Sequence, residues 1–213
     1  MSTLPVSRNV RRPAASDRSN RRVREGDVIS PRELETILGE TVAIPDVQTV
    51  IHLQFRRYAG CPICNVHLRS IAVRHDELLA AGVREVVVFH SKRETMLEHQ
   101  ALLPFAAIAD PEKHLYAEFG VEKMAVRMAL HPRSWRAAFF ALTHSPNLRG
   151  ATGKGEEHLG LPAEFLIRPD GSVMAAKYGR VADDHWSVDD ILSLSRTRTQ
   201  PAGGAGTTGC SPR

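Results

Sequence analysis

Cys61 and Cys64, separated by Pro62 and Ile63, are the residues of this sequence best suited to chemistry. Two thiols at this spacing can close on each other as a disulfide or serve as metal ligands. A cysteine placed after a strand and at the first turn of a helix meets the positive end of the helix dipole and unpaired backbone N–H groups. Both favour thiolate over thiol. This assigns the low pKa to Cys61, with Cys61 turned outward and Cys64 more buried. Pro62 suits the position, because its fixed φ fits a helix start and it has no N–H to leave unsatisfied.

Other chemistries compete with redox at this spacing. A pair of inert core cysteines is the plainest alternative, since free cysteine is often buried. Zinc is another, with Cys61, Cys64 and His67 as ligands, but no second CxxC or histidine pair at ligand spacing offers a fourth. Asn65 stands where a c-type haem would require histidine. The run from Gly150 to Lys154 has the wrong spacing for a phosphate loop. On this reading the chain needs no metal and no cofactor.

The elements that would carry the dithiol follow from the pattern. A helix is expected from Ser30-Pro31 to Leu38, with Ser as cap and Pro in the first turn. Thr49 to Arg57 is rich in β-formers and reads as a strand; a helix then runs from Cys61 towards Ala81, and Gly82 stops it. Val83 to Phe89 is a continuous apolar run suited to a strand buried on both faces. Ser91-Lys92-Arg93-Glu94 has the form of a capping box for a helix to about Leu103. A short strand over Phe105–Ala109 precedes a helix that starts at Asp110-Pro111 and ends at Gly120. Alternation of β and α in this order is the signature of a parallel sheet covered on both sides. Pro162–Ile167 and Ser172–Tyr178 flank Asp170-Gly171 and form a hairpin, followed by a helix from Ser187 to about Leu194. Residues 122–160 read as a helical and loop insertion before that hairpin.

The 213 residues carry a net charge of +4, unevenly spread. Residues 1–25 hold seven arginines and a net +5, residues 196–213 a net +3, and residues 26–195 a net −4. The basic ends read as disordered tails, the second containing Cys210, around one domain over residues 26–195. A mildly acidic body argues against a specific nucleic-acid partner. No apolar run is long enough for a membrane span, and the charged N-terminus lacks the apolar core of a secretory signal, so a cytoplasmic location is expected.

Several stretches together resemble a known family: Phe55 to Cys64, Val87 to Ser91, Ala109-Asp110-Pro111, Leu161 to Ile167 with Asp170-Gly171, Tyr178-Gly179-Arg180, and Asp183 to Asp189. They look like the peroxiredoxin-like branch of the alkyl hydroperoxide reductase/thiol-specific antioxidant family, within the thioredoxin superfamily. The resemblance covers residues 30–195. It implies an α/β, thioredoxin-like fold, with a central mixed sheet flanked by helices. It also implies a thiol-dependent oxidoreductase, with Cys61 as nucleophile and Cys64 as resolving partner. Pro162 matches the proline, usually preceded by a cis bond, that faces the dithiol. The substrate groove would then involve Tyr58, Gly60, Pro62, Leu161 and Pro162. Implied partners are a peroxide or disulfide substrate and an external reductant, a thioredoxin-type protein or a low-molecular-weight thiol; a homodimer is compatible with the family. The sequence departs from true peroxiredoxins at three places. Tyr58 and Gln54 stand where Thr and Pro are expected, and no arginine before Pro162 matches the one that positions the peroxide. Arg56, Arg57 and the Tyr58 hydroxyl are the available substitutes. The alternative function is a redox-sensing or interaction module that oxidises without turnover.

Overall fold

The computed structural model describes residues 21–121, Phe139 and residues 160–197. The expected insertion, apart from Phe139 and Gly160, lies outside the described residues, as do residues 1–20 and residues 198–213 with Cys210; residues 196–197, expected in the second tail, complete the last helix.

Val50–Phe55 (β3) is the middle of a five-stranded mixed sheet. On one side it pairs in parallel with Val83–Phe89 (β4), which pairs in parallel with Ala106–Ala109 (β5). On the other side it runs antiparallel to Ala163–Ile167 (β6), which forms a hairpin with Val173–Tyr178 (β7). Parallel neighbours need crossovers. Pro62–Val73 (α1) and His75–Ala80 (α2) connect β3 to β4, and Arg93–Gln100 (α3) connects β4 to β5. His114–Glu118 (α4) follows β5, and Val188–Thr197 (α5) closes the described chain. At the hairpin, Gly171 takes φ 84°, in the left-handed region that favours glycine, two residues before β7.

Strand periodicity sorts β3 into two faces. Ile51, Leu53 and Phe55 enter a core shared with Phe165, Tyr116 and Phe119. His52, Gln54 and Arg56 point to the opposite face, towards α1 and the segment before α5. The apolar core on that side is built from Ile71, Leu78, Leu166, Met174 and Ile191.

Four expectations need correction. The segment expected to be a helix from Ser30 contains instead the strand Arg32–Glu35 (β1), paired antiparallel with Thr41–Ile44 (β2). Its alternating half-buried and exposed residues satisfy a two-residue period, and the cap-like Ser-Pro pair merely precedes it. The single helix expected from Cys61 towards Ala81 is broken at Arg74, whose φ of −109° and ψ of 21° leave the helical region. Ser91 does not cap α3, which starts at Arg93 with no side-chain cap; its hydroxyl instead accepts a bond from the Ala59 N–H. Residues 21–25, assigned to a disordered tail, are ordered: the Val23 N–H donates to Tyr178 Oη at 2.7 Å, and Arg22 lies over the Tyr178 ring.

The next residues continue along the sheet. Gly26 and Ile29 donate backbone bonds to Val173 and Gly171, and Val173 donates to Asp27. On the far side the Ile37 N–H donates to the Ala107 carbonyl of β5. No helix among the described residues is long and apolar enough to cross a membrane.

Candidate active site

The end of β3 delivers the dithiol. After Phe55 the chain turns through residues 56–60 and enters α1, with Cys61 as its N-cap and Pro62 in the first turn. The turn is held from three directions. Cys61 N–H donates to the Tyr58 carbonyl, the Ser91 hydroxyl accepts from Ala59 N–H, and the Ala59 carbonyl accepts from Gln100 Nε2 at 2.7 Å and Asn65 Nδ2 at 3.2 Å. The Cys61 sulfur itself acts as the cap acceptor, receiving the Cys64 N–H at 3.4 Å. These contacts fix Gly60 and Pro62 beside the thiols.

Both cysteines are free thiols, and both are buried, at 0% and 1% exposure. The expected outward Cys61 is therefore corrected: Tyr58 and Ile63 pack around the pair. Arg57 donates from its Nη2 to Cys61 Sγ at 2.8 Å. The thiols titrate together. Burial, and then the hydrogen bond with Cys64 and its charge, push the Cys61 thiol up. That hydrogen bond from Cys61 holds Cys64 well below the ordinary thiol range, against burial and with help from Arg57, His185 and Arg56. Once the pair has lost one proton, the remaining proton and the negative charge are shared between the two sulfurs through that hydrogen bond, with the Arg57 donor on Cys61 Sγ. Burial would lower the Arg57 pKa, but the charges of Cys61 and Cys64 hold it up, so the guanidinium stays a cation.

Antiparallel pairing of Phe55 with Ala163 brings the segment before β6 alongside the turn. A Cβ on Gly160 would lie 3.1 Å from Arg57 Cγ. Leu161 and Pro162 are buried just beyond it. Pro162 accepts the Gly179 N–H at 2.8 Å, and a Cβ on Gly179 would stand only 2.6 Å from Pro162 Cγ. The cis bond expected before Pro162 is not there: the cis peptide among the described residues is Ile44–Pro45.

Behind the cysteines lies a charged cluster that single-residue motifs did not reveal. Arg56, wholly buried, donates to Glu164 Oε1 at 2.9 Å, to His67 Nδ1 at 3.0 Å, to Gln54 Oε1 and to His185 Nδ1. Glu164 accepts the Trp186 N–H at 2.6 Å through its other oxygen. The string continues through Gln54, which donates to Glu85 Oε2, the same oxygen that His52 Nδ1 meets at 2.8 Å. The signal was present in β3: His52, Gln54 and Arg56 form a polar stripe of period two in a strand otherwise apolar and central. Register supplies the partners, His52 opposite Glu85 and Gln54 opposite Glu164.

The ligand atoms of His67, Glu164 and His185 lie within 4.8 Å of one another, close enough for a metal ion. The Arg56 guanidinium bonds to all three and so takes the place a cation would need. Zinc on Cys61, Cys64 and His67 does not fit either, because the two ring nitrogens of His67 face Arg56 and the Trp186 carbonyl.

Residues 70–181 match the model of the AhpC/TSA antioxidant enzyme family. The chain belongs to that family. It is accordingly of the thiol oxidoreductase or peroxidase type. The matched stretch begins beyond the two cysteines, so their roles rest on geometry. Solved AhpC/TSA-like structures share the fold. Peroxidoxin BcpB from Mycobacterium tuberculosis has a TM-score of 0.60 at 14% identity, with 82% of this chain and 97% of that one covered. A mutant of PrxQ from Xylella fastidiosa has a TM-score of 0.60 at 12% identity, covering 83% and 97%. A putative thiol:disulfide interchange protein DsbE from Chlorobium tepidum has a TM-score of 0.52 at 20% identity, covering 80% and 97%. No curated protein matches this AhpC/TSA chain in sequence.

Proposed function

We propose that this protein reduces a hydroperoxide or a disulfide with the Cys61–Cys64 dithiol, and that an external thiol, a thioredoxin-type protein or a small thiol, regenerates it. The observation that carries the reading is the placement of Cys61: at the N-cap of α1, with the Arg57 guanidinium 2.8 Å from its sulfur and Cys64 one helical turn away.

With a hydroperoxide, the Cys61 proton passes to Cys64 and the Cys61 thiolate attacks the terminal oxygen. The O–O bond breaks, Cys61 becomes a sulfenic acid, and the departing alkoxide takes the proton from Cys64 to leave as alcohol. The Cys64 thiolate then attacks the Cys61 sulfur. The disulfide forms and hydroxide leaves, taking a proton from solvent to give water. Two thiols of the external reductant return both sulfurs to the starting state and leave as a disulfide. Arg57 occupies the role that the sequence leaves open, a cation at the reacting sulfur able to stabilise charge on the departing oxygen. Tyr58, Gly60, Pro62, Leu161 and Pro162 would shape the groove.

The test is turnover coupled to thioredoxin, thioredoxin reductase and NADPH, with a hydroperoxide and a low-molecular-weight disulfide as alternative substrates. Cys61→Ser should abolish consumption of both. Cys64→Ser should accumulate a Cys61 sulfenic acid, or a mixed disulfide, visible by mass spectrometry. Full turnover by Cys61→Ser, or no turnover by the parent with either substrate, would overturn the reading.

A further inference from the structure

The Arg56 cluster is a costly thing to build into a core. Arg56 and Glu164 are 0% and 1% exposed, and a buried ion pair is often no more stabilising than apolar residues of the same volume. Its position gives a reason for its presence. Cys64 and His67 are three residues apart on α1, so they share a face, with Cys64 buried and the half-buried His67 turned to Arg56. His67 Nδ1 is bound by the guanidinium, so the cationic end of the pair is the end that meets α1, while Glu164 holds it from β6.

Tautomers follow from the partners. The Trp186 carbonyl can only accept, so His67 Nε2, 2.8 Å away, carries the hydrogen. Its Nδ1 is then a lone pair facing Arg56. His185 likewise turns Nδ1 to the guanidinium, and the two rings stack with centroids 4.4 Å apart. Burial, and then the Arg56 charge, keep both imidazoles from charging. Among the groups bonded directly to the guanidinium, the fixed charges are the guanidinium itself, on the side of α1, and the Glu164 carboxylate on β6.

We propose that the Arg56–Glu164 pair is a positioning device that sets the reduction potential of the Cys61–Cys64 couple from behind. The inference rests on the dithiol reading above. Reduction of the disulfide by two glutathiones breaks the Sγ–Sγ bond and forms glutathione disulfide. It leaves one thiol and one thiolate and releases one proton. A cation behind Cys64 stabilises the thiolate product and not the uncharged disulfide, so it makes the couple more oxidising. Arg57, Tyr116 and, when protonated, His185 are the other groups whose charge acts on the pair, and all three are unchanged in the variants below.

Two substitutions of nearly equal size give effects of opposite sign. Glu164→Gln removes the counter-charge and leaves the guanidinium unbalanced, so the equilibrium constant for reduction by glutathione should rise about tenfold, or about 30 mV. Arg56→Gln leaves the carboxylate alone and should lower it about tenfold. The double variant should return close to the parent. Arg56→Lys keeps the charge without the planar fork and should hold the constant within about threefold even where stability falls. Ultraviolet titration of the thiolate on the reduced proteins should move to lower pH in Glu164→Gln and to higher pH in Arg56→Gln. A purely structural role predicts no such antisymmetry: shifts of the same sign, or none, in the two single variants would overturn the proposal. Should Arg56→Gln fail to fold, an unchanged constant and titration in Glu164→Gln would overturn it alone. If the parent forms no Cys61–Cys64 disulfide under the glutathione series, the dithiol reading fails, and the thiolate titrations still decide the electrostatic one.

Discussion

Acidification should destabilise this fold in a window set by histidine, not by carboxylates. Burial, and next the Arg56 charge, hold His67 well below its usual 6.5, and the same two causes lower His185. The folded state thus refuses a proton that the unfolded chain takes up from pH 6.5 downwards. Stability from such a group is complete above the unfolded value and falls as the pH drops towards the folded one. One unit below the unfolded value, His67 alone should cost about 1.4 kcal/mol, and His185 up to about as much again. For a domain of this size each kcal/mol shifts the melting temperature by about 2–4 °C. Between about pH 7.5 and about pH 5.5 the reduced protein should therefore lose about 3–6 °C through His67, and up to about 11 °C through both. Glu164 does not contribute in this window. Burial pushes its carboxyl up, but Arg56, the hydrogen bond with His185 and the nearby His52 together hold it well below 4.5, and its stabilisation is lost only at lower pH. The assay is a melting series against pH on the parent and on His67→Gln, whose amide can still accept from Arg56 and donate to the Trp186 carbonyl. The variant should show a shallower slope by His67's share. Equal slopes in parent and variant would refute the assignment of His67 as a buried neutral group.

Arg57→Met removes the donor on Cys61 Sγ, a charge-assisted bond. Alkylation of the reduced dithiol and turnover should fall about tenfold to hundredfold, while the melting temperature changes little. Asp110 caps α4 by accepting the backbone N–H groups of His114, Leu115 and Tyr116, so Asp110→Ala should cost about 1–2 kcal/mol by denaturant melts and leave the thiolate titration unmoved. Gly179→Ala places a methyl within 2.6 Å of Pro162 and must push the segment of Leu161 and Pro162 aside. A loss of about 1–3 kcal/mol with slower turnover is expected, and unchanged kinetics would show that this segment does not shape the site.

The parts of the fold that were legible in the sequence are those with strong local periodicity. Val83–Phe89 announces a doubly buried strand, and Asp170-Gly171 announces its hairpin. Local signals also misled where a tertiary partner competed for the same group. The Ser91 hydroxyl fits a capping box, yet the turn before Cys61 needs a donor held and takes it. Ser30-Pro31 fits a helix start, yet the following residues gain more by pairing with Thr41–Ile44. At the site, the dithiol and the nearby arginines could be read directly. The cluster could not, because Glu85 and Glu164 join His52, Gln54 and Arg56 only through strand register, across 33 and 108 residues of chain in the cases of His52–Glu85 and Arg56–Glu164. The protonation of Cys61 and Cys64 is similarly invisible. Helix position favours Cys61, whereas the hydrogen bond between the sulfurs and the Arg57 donor on Cys61 Sγ, which only three-dimensional placement supplies, make the two thiols share their proton.

A five-stranded open sheet ends in two rows of unsatisfied backbone groups, and such rows recruit strands from other chains. Here each rim is partly occupied by the protein's own chain. Residues 26–29 lie along the start of β7 with three backbone bonds, and Ile37 caps β5 with one. Self-association by strand addition at the start of β7 must first peel that N-terminal strap away, exchanging intramolecular bonds for intermolecular ones at no gain in their number. Growth by this route is discouraged, and contacts through helices or loops involve no such exchange. The same strap bears Val23 and Arg22 against Tyr178, so trimming the chain into these residues would uncover backbone and aromatic surface together. A tail trimmed no further than residue 20 leaves the rim covered.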